Sequence, residues 1–343
     1  MAAATMYVTP AGADTKTGAD WAHAMGEAEF EADLEAGAEA GDIYYIKAGT
    51  YTLDSAYDSS ARAGTAVAPV SIIGVKAATT NEPPVFADWG TWEVGHAADD
   101  CPLISCGANA CTFGGYYKIY NCYFTTTSVA GIQVGAGSVL LNCAIYNSSP
   151  TGGRYGMNGG SSISIGCELI STNGYAGYIV KALYSYIHDS STGIYIGGGQ
   201  ANYTFNVIDT CVTGINLVSV DYATILNNTF YGVTTAVSSS DGYGTVAINN
   251  IIDTCSGDGF KWTTQTDSNI FAYNHGNDTR NTDQWDGVAV TMPHGELGGG
   301  SAGATSAYSG GDPKFTGAAG GDLSLASDSP CIDAGMTITL GVG

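Results

Sequence analysis

The chain has 343 residues, 44% of them hydrophobic and only 12% charged, and its net charge is −22 from 10 Lys and Arg against 32 Asp and Glu. This much apolar material sustains a continuous core and excludes a disordered polymer, which needs low hydrophobicity and high charge. The acid excess excludes nucleic acid and anionic membranes as partners and opposes polyuronic acids unless cations bridge the two; neutral glycans and protein surfaces stay open, and the simplest role of the charge is solubility.

From the N-terminus, residues 1–10 carry no basic segment followed by an apolar one, so no classical secretory signal is expected. No run approaches the ~18 apolar residues of a membrane span, so membrane insertion is not expected either. Residues 21–40 are rich in Ala and Glu and predict a helix, with Asp20 as N-cap and Trp21, Met25, Ala28 and Leu34 on one face. Residues 41–46 begin the first strand, and residues 54–112 read as irregular early coils.

Between residues 118 and 272 a five-residue phrase recurs, beginning at Asn121, Asn142, Gly166, Tyr184, Phe205, Asn227, Asn249 and Ser268. The steps between successive phrases are 21, 24, 18, 21, 22, 22 and 19 residues. Such a period is too short for helical-pair repeats, and the leucine consensus of leucine-rich repeats is missing. The second position is Cys, Ser or Asn and the fourth is Phe, Ile or Leu, so both are expected to point inward from a strand while the odd positions face out. Stacking then builds an apolar ladder (Phe124, Ile145, Leu169, Ile187, Ile208, Phe230, Ile252, Phe271) beside a second ladder that ends in Asn206, Asn228, Asn250 and Asn269. Buried Asn is tolerated there because each amide bonds the next coil. A Gly-led strand follows each phrase (Gly131-Ile132, Gly193-Ile194, Gly214-Ile215) and a third short strand precedes the next, which gives three parallel sheets.

The expected fold is therefore all-β: a right-handed three-sheet parallel β-helix with a short N-terminal capping helix over the open edge. One domain spans residues 1–343, with strand, helix and first coil in 1–53, coils in 54–272, and loop-rich C-terminal coils in 273–343, of which 273–311 read as loops outside the core. The nine cysteines are an odd set without metal-binding spacing, and most read as small buried hydrophobes.

Two segments carry a resemblance. Residues 7–14 (Tyr-Val-Thr-Pro-Ala-Gly-Ala-Asp), Gly18, Trp21, Gly41-Asp42-Ile43 and Gly49-Thr50-Tyr51 resemble the start of right-handed β-helix proteins of the pectin-lyase-like superfamily; residues 311–315, 322–325 and 329–335 resemble their close. The resemblance covers nearly the whole chain and implies the fold. It leaves function open among polysaccharide lyases and hydrolases, bacterial surface proteins, and phage head or tail proteins.

Catalytic sets known in that superfamily are missing: the Arg-Pro-x-x-Arg and Trp-x-Asp-His segments of lyases, and the Asn-Thr-Asp, Asp-Asp, Gly-His-Gly and Arg-Ile-Lys segments of polygalacturonases. A glycosidase needs two carboxyl groups, ~5–5.5 Å apart for retention or ~6.5–9.5 Å for inversion. Asp189, Asp209 and Asp253 stand beside turns, and stacking would bring Asp189 and Asp209 close; each is also simply read as shaping its own turn. His188 could serve as acid or base but reads more simply as an exposed turn residue. Outward Tyr123, Tyr146, Tyr186 and Tyr231, with Tyr195 near the second strand, are binding candidates because Tyr stacks on sugars and anchors interfaces; ordinary strand-face Tyr is the plainer account. No cofactor or metal site is expected, since neither EF-hand nor glycine-aspartate nonapeptide spacing occurs.

The expected function is a non-catalytic structural or adhesive β-helix protein of a virion surface (capsid decoration, head fibre or tail protein), outside the cell or on the particle. Its expected partners are other structural proteins of an assembly or a cell-surface glycan, with oligomerisation compatible. The alternative is an extracellular polysaccharide lyase or glycoside hydrolase.

Overall fold

The computed structural model describes residues 3–53, 57–90, 100–108, 111–150, 155–240, 242–262, 270–277, 307–309 and 312–334. Two compact units emerge, Met1–Ser191 and Thr192–Gly343. Each is a parallel β-solenoid with three strands to the coil, and helix is confined to the N-terminus and short turns.

The phrase is an inside-out strand preceded by a bend. Its first residue takes the left-handed conformation in the coils from Asn121 on: φ is 53°, 52°, 59° and 52° at Asn121, Asn142, Gly166 and Tyr184, and 58°, 55°, 57° and 53° at Phe205, Asn227, Asn249 and Tyr273. Asn and Gly tolerate that region, whereas Tyr and Phe carry a cost of roughly 1–2 kcal/mol there. The bend turns the second and fourth positions inward. In the first unit Tyr51, Ile104, Phe124, Ile145, Leu169 and Ile187 are in register on successive coils, and all are buried. In the second unit Ile208, Phe230 and Ile252 do the same. Each such side chain contributes ~1.5–3 kcal/mol on burial, so the apolar column dominates the stability of every coil.

The second positions form the neighbouring column. In the second unit Asn228 Nδ2 donates to Asn250 Oδ1 at 3.0 Å and to the Tyr203 carbonyl at 2.9 Å, while its own Oδ1 accepts Asn206 Nδ2 and Asn206 N–H, both at 2.9 Å. The pattern repeats one coil on, where Asn250 Nδ2 reaches Asn274 Oδ1 at 2.8 Å. Every amide is satisfied, so burying it costs little.

The end of that ladder corrects the sequence reading. Asn269 lies outside the described residues, and Ile270–Ala272 pairs with Val246–Ile248, the strand before the phrase. The last phrase is instead Tyr273 to Asn277: Tyr273 has the left-handed bend, Asn274 takes the ladder position, and His275, Gly276 and Asn277 pair with Ile251, Ile252 and Asp253. Phe271 is thus on the preceding strand rather than in the apolar ladder. Residues 274–277 and 307–309 are strands of the sheet built from the phrases, the second sheet (the first is that of the strand before each phrase, the third that of the Gly-led strand), not loops outside it, because their backbone groups complete the ladder left open by Ile251–Asp253.

The N-terminal helix is shorter than expected, Glu27–Ala36. Asp20 caps a separate 3-10 turn, Trp21–His23, accepting His23 N–H at 2.9 Å. Between them the chain is extended, because Met25 bonds Tyr7 in the N-terminal strand Thr5–Val8 and Thr9 just beyond it, and the helix begins where Glu29 accepts the Gly26 N–H at 3.1 Å. Phe30 and Leu34, rather than Trp21 and Met25, form its buried face; Phe30 packs edge-on to Tyr44, and Tyr44 donates to Asp33 at 2.6 Å.

Candidate functional site

With the fourth position inward, the third and fifth positions of the phrase face out. On the second sheet of the first unit the third-position column runs Leu103, Tyr123, Ala144, Glu168, Tyr186, and the fifth runs Ser105, Thr125, Tyr146, Ile170, His188. Coils are spaced ~4.8 Å apart, so these side chains are neighbours. The small Ala144 leaves room beside Glu168, and Tyr123 and Tyr186 wall the space on either side. Glu168 is 8% exposed although it stands on an outer face.

His188 joins two carboxylates. Its Nε2 lies 2.7 Å from Glu168 Oε1 and its Nδ1 2.8 Å from Asp189 Oδ2. The Tyr186 ring stacks on the imidazole, with centroids 4.1 Å apart and 19° between planes. Burial disfavours the charged imidazolium, but the hydrogen bonds to Glu168 and then Asp189, with the charges of both, outweigh it and raise the His188 pKa above its ordinary 6.5. Burial, then the Glu168 charge, pushes the Tyr123 phenol up as well. The cluster is one imidazole held between a buried and an exposed carboxyl group. It offers acceptor oxygens at Asp189 and hydroxyls and ring faces at the tyrosines.

Five residues singled out from the sequence (Tyr123, Tyr146, Tyr186, His188 and Asp189) thus come together around a sixth that was not, Glu168. Its signal was available: an acidic residue at an outward strand position one coil before a histidine. The reading of His188 as an exposed turn residue is corrected, since it is 9% exposed and held by Glu168 and the Tyr186 ring. Asp189 is exposed, in the left-handed conformation at φ 48°.

The remaining candidates belong to the second unit. Asp209 accepts the Thr210 hydroxyl at 2.6 Å, and Asp253, which is buried, accepts the Thr254 N–H at 2.8 Å. Both carboxylates shape the turns that follow them. Tyr231 stands between Asp209 and Asp253 in register, and its ring meets Phe315 edge-on at 5.9 Å. Tyr195 faces out from the third sheet, paired with Asn216. Among the described residues no group of His, Cys, Asp and Glu is arranged to hold a metal ion, and no helix is long and apolar enough to cross a membrane.

No protein-family model matches the sequence, and no curated protein matches it. Solved structures do. Pectate lyase Pel9A aligns over 98% of this chain and 94% of its own at 11% identity, with a TM-score of 0.50. The GH136 lacto-N-biosidase from Eubacterium ramulus aligns over 82% of this chain at 12% identity and a TM-score of 0.49, and this chain spans only 65% of its length. A rhamnogalacturonan lyase aligns over 90% of this chain and 83% of its own at 11% identity, with a TM-score of 0.42. At such identities the likeness concerns the backbone alone, and the strand order and register above make this chain a three-sheet parallel β-solenoid.

Proposed function

We propose that the protein is a non-catalytic adhesive solenoid that binds a neutral glycan on the outer face of the second sheet of its first unit. The observation that carries this reading is the double engagement of His188. Both imidazole nitrogens point at carboxylates, 2.7 and 2.8 Å away, so the only histidine of the cluster is committed to holding Glu168 and Asp189 in place. What remains for a ligand is a set of acceptors and half-exposed tyrosine rings (Tyr123, Tyr146, Tyr186), which suit sugar hydroxyls and sugar C–H faces. The net charge of −22 favours an uncharged glycan over a polyuronate. For display on a virus particle, the support is the low share of charged residues and the stacked-coil architecture alone.

A second reading, polysaccharide cleavage, has one observation in its favour: Glu168 is a carboxyl group buried beside an aromatic wall, a setting that suits a general acid. One experiment separates the two. The full chain is titrated against soluble neutral and acidic glycans by calorimetry, and the same mixtures are assayed for reducing ends and for unsaturated products. The adhesive reading expects saturable binding to a neutral glycan, weakened about tenfold (about 1.4 kcal/mol) by Tyr186→Ala, and no product. Turnover abolished by Glu168→Gln would establish cleavage instead.

A further inference from the structure

The third sheet of the first unit presents a second outward face of different character. Its strands are Cys111–Phe113, Ile132–Val134, Tyr155–Asn158 and Tyr175–Tyr178. Their partly exposed positions are Thr112, Gln133, Tyr155, Asn158, Tyr175 and Tyr178. None carries a charge, on a chain with 32 acidic residues, and none is aliphatic. Gln133, Asn158 and Tyr178 are in register on three successive coils, and Tyr155 is in register with Tyr175. The Tyr155 ring is tilted against Tyr175 at 5.6 Å and against Tyr178 at 5.4 Å, so the three rings make one shelf. Tyr178 is braced over Gly160, its ring 3.4 Å from where a Cβ would stand.

We propose that this face is a second binding platform for a neutral polysaccharide, with Tyr155, Tyr175 and Tyr178 as stacking surfaces and Gln133 and Asn158 as partners for sugar hydroxyls. The proposal rests on the glycan-binding reading above and extends it to a long chain held at two places. Rigid aromatic rings lose little conformational entropy on binding, and side-chain amides donate and accept at once, as neighbouring hydroxyls require. Uncharged tyrosine faces also occur at protein interfaces, and it is the pairing of those rings with side-chain amides, matched to neighbouring sugar hydroxyls, that favours the polysaccharide. Tyr175 follows Glu168 by seven residues in the same coil, so the two loci are at most ~25 Å apart and one polymer can reach both. Two linked contacts raise polymer affinity by ~10²–10⁴ over a single one, and a monosaccharide gains nothing from the second.

The test uses the full chain with soluble dextran, galactomannan and xyloglucan, the corresponding monosaccharides, and the double variant Tyr155→Ser with Tyr178→Ser, its fold checked by near-UV circular dichroism. The wild type should bind its best polymer at least a hundredfold tighter than the corresponding monosaccharide. The double variant should lose at least tenfold in polymer affinity while monosaccharide affinity holds. Polymer affinity unchanged within twofold overturns the platform and leaves the Glu168 locus standing. Platform loss combined with indifference to Tyr186→Ala upholds the platform and overturns the first locus. Absence of any neutral-glycan binding by the wild type overturns both; a solution dimer that the double variant dissolves without effect on polymer affinity overturns the platform alone. Should the double variant fail to fold, Asn158→Ala is read instead, with about threefold weaker polymer binding expected and no change overturning the proposal.

Discussion

The same phrase position is filled by three thiols and one hydroxyl (Cys122, Cys143, Cys167 and Ser185) in the first unit and by amides in the second, and thiols and amides solve burial differently. Cys122 donates weakly to the Tyr120 carbonyl at 3.2 Å, and Cys143 and Cys167 reach carbonyls two residues back at 3.5 Å. Cys143 and Cys167 lie equally near carbonyls of the preceding coil, Ile119 and Leu140 at 3.5 Å, but these sulfur contacts are long, and burial pushes the Cys122 and Cys143 thiols well above their ordinary range. The amides of Asn206, Asn228, Asn250 and Asn274 instead tie each coil to the next through paired bonds of 2.8 to 3.0 Å. A thiol column fills space and tolerates a slip; an amide column fixes register, because one displaced member strands donors on both sides.

The sharpest way to break that comparison is Asn228→Ala. It removes the Asn228 Oδ1 that accepts from Asn206 N–H and Nδ2 and the Asn228 Nδ2 that donates to the Tyr203 carbonyl and to Asn250 Oδ1, and should cost on the order of 4 kcal/mol in urea unfolding of the full chain. Next comes the charged cluster. Because the His188 pKa is raised in the folded state, its stabilisation is complete below the ordinary value of 6.5 and is lost as pH rises through the higher folded value. Glu168→Gln removes its largest raising partner, so the His188 midpoint followed by NMR should fall, and the loss of stability on the alkaline side should shrink. Cys143→Ala should cost only about 1 kcal/mol, since a small thiol is replaced by a methyl and no strong hydrogen bond is orphaned. A value equal to that of Asn228→Ala would erase the distinction between the ladders. The smallest effect has the opposite sign: Tyr184→Asn places at a left-handed bend the residue found there in other coils, and should raise stability by about 1 kcal/mol.

Periodicity made most of the fold legible. The alternation of Cys or Asn with Phe, Ile or Leu at steps near 22 residues located the buried columns, because a strand has only two faces. The last coil was misplaced since Ser268-Asn269 and Tyr273-Asn274 both carry Asn at the second place, and residue type alone could not choose between them. The left-handed bend at the first position was not read from the sequence, because Tyr184, Phe205 and Tyr273 break the run of Asn and Gly that points to it. At the site, the tyrosines and His188 were legible as outward positions. The signal of Glu168 lay across the stack rather than along the chain, an acidic outward position with a small Ala144 one coil earlier and a histidine one coil later, and a reading along the chain passed over it.

The central functional claim is that a neutral glycan sits over Glu168, His188 and Asp189. The direct measurement is the imidazole resonance of His188 in the full, isotope-labelled chain as the best-binding neutral oligosaccharide is added. The account predicts a saturable shift whose midpoint matches the calorimetric affinity and disappears in Tyr186→Ala. A glycan that binds while the His188 resonance stays where it was would contradict it.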